Sequence, residues 1–348
     1  MLGQAPGPER EEAPGGRRRL WLAVLVALAV LAGAVLAVPR WLEASEPVAE
    51  AAASRSLLTR PSDTVTTTTT VATTTTVAPT TTAAPPTTEA PAPPAAPRPP
   101  ARATPKKGVA VWGNMGDLGH ALTDVGAAWY YNWSANPSGG ADGASEYVPM
   151  IWGANAVSDG SLARAKAAGS VLLGFNEPDF GSQANMSVEQ ALDLWPQLQA
   201  TGLRLGSPAV AINAAEPGGW LDRFLSGARD RGLRVDFIAL HWYGSDFSDA
   251  AVGHLRNYIE GVHDRYGLPI WLTEYALIKF ADGGSTFPSD AQQAAFITGS
   301  TAMLEGLPYV ERYAWFALPT PDDGSQGTGL YRDATTPTPA GVAYRAAG

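Results

Sequence analysis

The 348-residue chain contains no cysteine. That absence excludes a disulfide framework, a thiolate nucleophile and any cysteine-ligated metal. Histidine is almost as scarce, with four residues at His120, His241, His254 and His263, and none stands in H-x-x-x-H or H-E-x-x-H spacing. No metal site is expected. Glycine-rich phosphate cradles of the G-x-G-x-x-G or G-x-x-x-x-G-K type are missing too, so no organic cofactor is implied. Positive charge is in deficit, 24 Lys and Arg against 33 Asp and Glu, for a net charge of −9. Nucleic-acid binders need a concentrated basic stripe, so a nucleic-acid partner is not expected.

Large apolar residues are lacking from about Ala51 to Pro105, where Thr, Pro and Ala dominate, including the run Thr66–Thr70. Such a segment buries too little apolar area to offset its ordering entropy. With proline this frequent it behaves as a semi-rigid spacer, and Thr/Pro composition also suits O-glycosylation. Residues 39–105 are therefore expected to form a disordered stalk; a plain disordered tail is the alternative. Before them, Leu20 to Val38 is an uncharged apolar run of 19 residues behind Arg17, Arg18 and Arg19. That length is about what a membrane-spanning helix needs. The arginines would stay inside, leaving 1–19 cytoplasmic and the C-terminal bulk outside the cell. A cleavable signal peptide, cut near Ala32, Gly33 and Ala34, is the rival reading and would give a secreted protein.

Only residues 106–348 can bury a large core, and their length approaches the ~250 residues of a (β/α)₈ barrel. Within them, β-rich runs alternate with helical segments. The candidate strands are Gly108–Trp112, Ala127–Tyr131, Tyr147–Ile151, Ser170–Phe175, Arg204–Ser207, Val235–His241, Pro269–Glu274 and Arg312–Phe316. Most are apolar throughout, as parallel strands covered by helices should be. Ser187 with Gln190 and Ser289 with Gln292 have capping-box spacing. Val252, Leu255, Ile259, Val262 and Tyr266 recur at helical spacing before Gly267 and Pro269. Eight alternations imply a closed barrel, with an open doubly wound sheet as the alternative. The loop Ser134–Ser145 shows no helix between the second and third runs.

In such a barrel the active site lies at the C-terminal ends of the strands. The fourth run leads into Asn176-Glu177-Pro178-Asp179, the sixth into His241-Trp242-Tyr243, the seventh into Thr273-Glu274-Tyr275, and the eighth ends in Trp315-Phe316. Glu177 and Glu274 would face each other across the barrel mouth. Glycoside hydrolysis needs two such carboxylates, one protonated and one ionised. Each also has a plain alternative. Asn176 could cap a helix with Glu177 in its first turn, Glu274 could pair with Lys279, and His241 could bond a backbone carbonyl. Asp179 reads as a capping group. Trp129, Trp133, Trp152, Trp242 and Trp315 lie near strand ends, where they would stack on sugar faces or simply pack the barrel.

The motifs G-F-N-E-P at 174–178 and W-L-T-E-Y at 271–275 resemble the strand-four and strand-seven signatures of the clan A retaining glycosidases. With Y-Y-N-W at 130–133, G-S-P-A at 206–209 and H-W-Y-G at 241–244, the chain most resembles glycoside hydrolase family 128. That family comprises β-1,3-glucanases and related glucan-binding proteins. The resemblance implies Glu177 as acid/base and Glu274 as nucleophile, Asn176 on the sugar hydroxyl next to the reacting carbon, and Tyr243 near the nucleophile. His241, Trp129, Asn132, Trp133, Trp242 and Trp315 complete the expected substrate-binding set. The expected function is retaining endo-hydrolysis of a β-1,3-glucan. A non-catalytic glucan-binding or wall-associated barrel, or a glycosidase acting on another β-glycan, are the alternatives.

Overall fold

The computed structural model describes residues 101–348 apart from 113–114, 138, 142, 144, 282–283 and 321–326. The arginine-flanked run 20–38 and the stalk as far as residue 100 lie outside the described residues. Among the described residues, no helix is long and apolar enough to cross a membrane.

Eight short parallel strands carry the fold: β1 (Lys107–Ala110), β2 (Trp129–Tyr131), β3 (Glu146–Tyr147), β4 (Val171–Leu172), β5 (Arg204–Leu205), β6 (Ile238–Gly244), β7 (Ile270–Leu277) and, after a small antiparallel hairpin of β8 (Lys279–Ala281) and β9 (Gly284–Thr286), β10 (Val310–Trp315). One sheet runs in the order β3-β2-β1-β10-β7-β6, and β4 pairs with β5. Two parallel bridges, Met150 to Leu173 and Gly206 to Phe237, join the remaining neighbours. Pairing thus passes round all eight strands and returns to its start, an α/β arrangement consistent with a TIM-like barrel.

Several ladders are shorter than the sequence pattern implies. Beyond Tyr147, the expected third strand pairs only through the Met150 bridge, because Pro149 has no N–H to donate. Its carbonyl instead accepts from Leu173 N at 2.9 Å. Pro208 curtails the strand after β5 for the same reason. The β8–β9 hairpin was not foreseen at all.

Helices α1 (Leu118–Val125), α2 (Asp159–Ala168), α3 (Val188–Gln199), α4 (Trp220–Asp230), α5 (Ala251–Tyr266), α6 (Asp290–Gly306) and α7 (Pro339–Ala346) intersperse the strands, with none between β2 and β3 among the described residues. On α5 the buried stripe is Ala251, Leu255, Ile259 and Val262, and Gly267 ends the helix at φ 66°, a left-handed value that favours glycine. The capping box of Ser289 and Gln292 opens α6, with both reciprocal bonds formed. Ser187 caps α3 by accepting from Gln190 N.

The N-terminal end of the strands is closed by polar and aromatic groups. Lys107 is fully buried, and its ammonium donates to the carbonyls of Arg102 (2.8 Å), Tyr344 (2.6 Å) and Ala347 (2.7 Å). Three donors meet three acceptors, so the burial is satisfied and the C-terminal helix is tied to the start of β1. Nearby, the Arg312 guanidinium lies over the rings of Trp271 and Trp129. The opposite rim carries the candidate chemistry.

Candidate active site

Four strands bring the polar groups together. In β6 successive side chains alternate across the sheet, so His241 and Tyr243 share one face while Trp242 takes the other. A register shift between Leu240 and His241 sets His241 opposite Glu274 of β7. Such irregularities re-aim side chains beside active sites. Glu177 follows β4 on a turn where Gly174 is needed for close approach. A Cβ at Gly174 would stand 2.9 Å from the Gly206 carbonyl oxygen. Glu177 itself adopts φ 44°, a left-handed conformation costing roughly 1–3 kcal/mol for a side-chain-bearing residue. Backbone bonds hold it there: Glu177 N donates to Ala209 O (2.7 Å) and Asn176 N to Trp152 O (2.9 Å). Asp179 Oδ1 accepts from Ala211 N at 2.9 Å, anchoring the turn to the segment after β5.

Both glutamates are almost fully buried, but their surroundings differ. Glu274 Oε1 accepts from Tyr131 Oη (3.0 Å) and Trp133 Nε1 (2.8 Å), and Oε2 accepts from Tyr243 Oη (2.5 Å). Three donors from β2, the residues after it, and β6 thus converge on one carboxylate, an environment made for its anion. Burial first, and the Glu274 charge second, push the phenols of Tyr131 and Tyr243 well above the usual range, so both remain O–H donors. Glu177 Oε1 meets His241 Nδ1 at 2.8 Å; its Oε2 is buried and makes no hydrogen bond among the described residues. Burial pushes the Glu177 carboxyl above its usual range; His241 acts in the opposite sense, and Glu274 and Asp179 add to the rise. One carboxyl is biased to keep its proton and sits beside another wrapped in donors. His241 Nε2 lies 3.3 Å from Glu274 Oε1, so the imidazole stands between the two.

Of the remaining expected residues, Asn176 is buried beside Glu177, with Nδ2 donating to Gln183 Oε1 and Oδ1 making no hydrogen bond among the described residues. Trp133 is half-buried, bonded to Glu274 and stacked on Trp112. Trp152 lines, with Trp133, Asn136 and Arg164, a cavity of about 150 Å³ beside the site. Asn132 is turned into its own loop: its Nδ2 donates to Asn136 O and its Oδ1 accepts from Tyr147 Oη. The plain alternatives for Asn176, Glu177 and Glu274 do not occur; α3 starts at Val188, and Glu274 faces tyrosines rather than Lys279.

Three tryptophans are corrected. Trp129, the first residue of β2, is fully buried at the N-terminal end, with Nε1 donating to Lys106 O. Trp315 is fully buried among Tyr275, Phe296 and Tyr344, with Nε1 donating to Thr328 O. Trp242 stacks on Phe296 of α6. All three pack the barrel rather than face the glutamates.

The glycosyl hydrolase catalytic core family matches residues 110–344. A crystal structure of a family 128 (subgroup I) endo-β-1,3-glucanase from Amycolatopsis mediterranei, in complex with laminarihexaose, is 59% identical, with a TM-score of 0.67 over 70% of this chain and 100% of that one. The chain belongs to glycoside hydrolase family 128. A subgroup II endo-β-1,3-glucanase of the same family from Sorangium cellulosum is 31% identical over 70% of this chain and 98% of that one, with a TM-score of 0.60. Alkali-sensitive linkage protein 1 of Schizosaccharomyces pombe is 38% identical over 224 residues, 62% of this chain and 39% of that protein. The chain therefore spans about two fifths of the length of this curated relative.

Against the family 128 background, the structure adds residues that sequence reading passed over. Tyr131 bonds Glu274 directly, and Phe316 packs edge-on against Trp112, Trp133 and Tyr243, walling the site from the β10 side. The signal for Tyr131 was its parity, since it shares a strand face with Trp129 and lies further along toward the rim. Glu177, His241 and Glu274 also place one metal-type donor each within 4.8 Å of one another. Glu274 is already wrapped in N–H and O–H donors and His241 bonds Glu177, an arrangement that suits proton transfer.

Proposed function

We propose that this protein is a retaining endo-β-1,3-glucanase in which Glu274 is the nucleophile and Glu177 the acid/base. The observation that carries the reading is the carboxylate pair, with oxygens within 4.8 Å and opposite electrostatic settings. Retaining glycosidases space their carboxyl groups about 5–5.5 Å apart, whereas inverting ones leave about 6.5–9.5 Å for a water. An approach within 4.8 Å between one oxygen of each carboxyl favours the retaining arrangement. Glu274 bonds the anomeric carbon as the glycosidic bond breaks, and the departing oxygen takes a proton from Glu177. Oε2 of Glu177, free of any protein partner, is the oxygen suited to deliver it. Water then hydrolyses the glycosyl ester with Glu177 as base. Asn176 would bond the neighbouring sugar hydroxyl, and Trp133 and Trp152 would offer ring faces to the glucan.

The family relatives support the substrate class and point to the same pair of glutamates. Crystal structures of the Amycolatopsis enzyme with laminari-oligosaccharides include variants at two glutamates, separated by the same number of positions as Glu177 and Glu274. Residues 106–348 should release new reducing ends from laminarin faster than from cellulose, xylan or mannan, and the first product seen by NMR should be the β-anomer. Equal or greater cleavage of any of the other three would overturn the β-1,3 assignment. Initial α-anomer would overturn retention.

We further propose that residues 20–38 anchor the chain in the cell membrane with the hydrolase outside, displayed on the Thr/Pro stalk. Protease added to intact cells should release the C-terminal domain by cutting between residues 39 and 105. A domain protected until the membrane is broken refutes this placement.

A further inference from the structure

The mechanism proposed for the glutamates leaves unused a third buried titratable group between them. Both ring nitrogens of His241 face a carboxylate oxygen: Nδ1 stands 2.8 Å from Glu177 Oε1, and Nε2 stands 3.3 Å from Glu274 Oε1, an ion-pair contact rather than an aligned hydrogen bond. With the Glu177 proton on Oε2, the oxygen that delivers it, a neutral imidazole has one N–H and one lone pair, and in either tautomer it would aim that lone pair at an oxygen bearing no hydrogen. Only the imidazolium presents hydrogen to both. The ring is fully buried.

Resting on the retaining reading of the site, we propose that His241 is a positioning residue that works as an imidazolium bridge, contacting both glutamates throughout the double displacement. Charge bookkeeping shows what such a bridge does. In the first step Glu274 loses its negative charge on bonding the anomeric carbon. Glu177 gains one when its proton leaves with the departing sugar oxygen. In the second step water's proton passes to Glu177, its oxygen bonds the same carbon, and the ester pair returns to Glu274. The negative charge crosses the site and comes back, while the sum stays constant. A cation fixed against both carboxylates stabilises the charge at either end, with no reorganisation when it moves.

The surroundings of the ring agree with that state. The groups facing it are Glu274 from β7, Glu177 and Asp179 from the turn after β4, and, beyond Glu274, the neutral phenols of Tyr131 and Tyr243. Burial alone pulls the imidazole below its usual range, but Glu274, Glu177 and Asp179 together outweigh burial, and the balance lies above it. His241 in turn restrains the rise at Glu177. It limits how tightly the acid holds the proton it must release.

The test uses the full hydrolase domain with His241→Asn, whose amide can still reach Glu177 but carries no charge, and His241→Gln, which reaches toward Glu274. With laminarin, kcat should fall on the order of 10- to 100-fold in both, the worth of one charge-assisted contact, while KM changes little. The alkaline limb of the pH–rate profile should move up by about a unit or more, because Glu177 loses the cation that favours its ionised form. An unmoved limb would make His241 a packing residue. A limb displaced downward would mean a neutral ring sharing the proton. Independently of activity, the ¹⁵N signals of the wild-type His241 ring should show both nitrogens protonated well above pH ~6.5. A single neutral tautomer at the working pH overturns the bridge, whether or not the variants fold. Should wild-type protein cleave no β-glucan at all, the hydrolase reading fails while the ring signal still decides the state of His241.

Discussion

Glu274→Ala should lose hydrolysis of laminarin and of an activated aryl β-glucoside alike, by on the order of 10⁴-fold or more in kcat. The reason lies in what the side chain supplies. Its two oxygens collect Tyr131, Trp133 and Tyr243, three donors from rigid parts of the barrel, so the attacking atom is held at one place. Alanine removes the attacking atom, and no improvement in the leaving group replaces it. The first step fails for every substrate. Added azide has room on the vacated side and needs no deprotonation. It should attack the anomeric carbon of the aryl glucoside directly and give an α-glucosyl azide. A β-azide from this variant would assign the nucleophile elsewhere, and full activity on laminarin would remove Glu274 from the mechanism.

Positions along the strands were legible in the sequence where an apolar run ended abruptly in a polar group. VLLGF before Asn176-Glu177 and IWL before Thr273-Glu274 mark two strand ends, and barrel geometry then forces their side chains toward one mouth. His241 and Tyr243 followed for the same reason. Tryptophan placement was not legible, because aromatics crowd nearly every strand end and two further coordinates decide what each one touches. One is parity. Trp242 and Trp315 sit one residue out of phase with His241, Tyr243 and Phe316, which turns them toward the helix layer, where Phe296 receives both. The other is depth. Trp129 and Tyr131 share a face, yet two residues of rise carry Tyr131 to the glutamates and leave Trp129 over Arg312 at the closed end.

The backbone irregularities that finish the site were hidden for a related reason. A bulge between Leu240 and His241 and a left-handed φ at Glu177 both violate local preference. Tertiary bonds, such as Glu177 N to Ala209 O, hold the second in place. Propensity read along a single chain carries no information about partners from another strand. The motif around Glu177 was therefore equally consistent with a capped helix until the turn geometry was seen.

Removing the other glutamate should have the opposite substrate dependence. Glu177→Ala should slow laminarin cleavage by roughly 10²–10⁴-fold, the usual contribution of a positioned acid/base. Formation of the glycosyl-enzyme from an activated aryl glucoside should survive, since a phenolate leaves without a proton. The intermediate should then accumulate, because water attacking it has lost its base, and a burst of phenol should precede slow turnover. Azide should relieve the block and yield a β-glucosyl azide, the product of two displacements. The pH dependence gives a second check. Burial and the neighbouring carboxylates raise the Glu177 pKa, so wild-type activity should persist above the ordinary carboxylate range and decline as pH rises through that raised value. In Glu177→Ala that alkaline decline should vanish from the burst rate on the aryl substrate, which requires no acid. A burst rate that keeps the same alkaline limb would assign the titration to another group, and an α-azide from this variant would exchange the roles of the two glutamates.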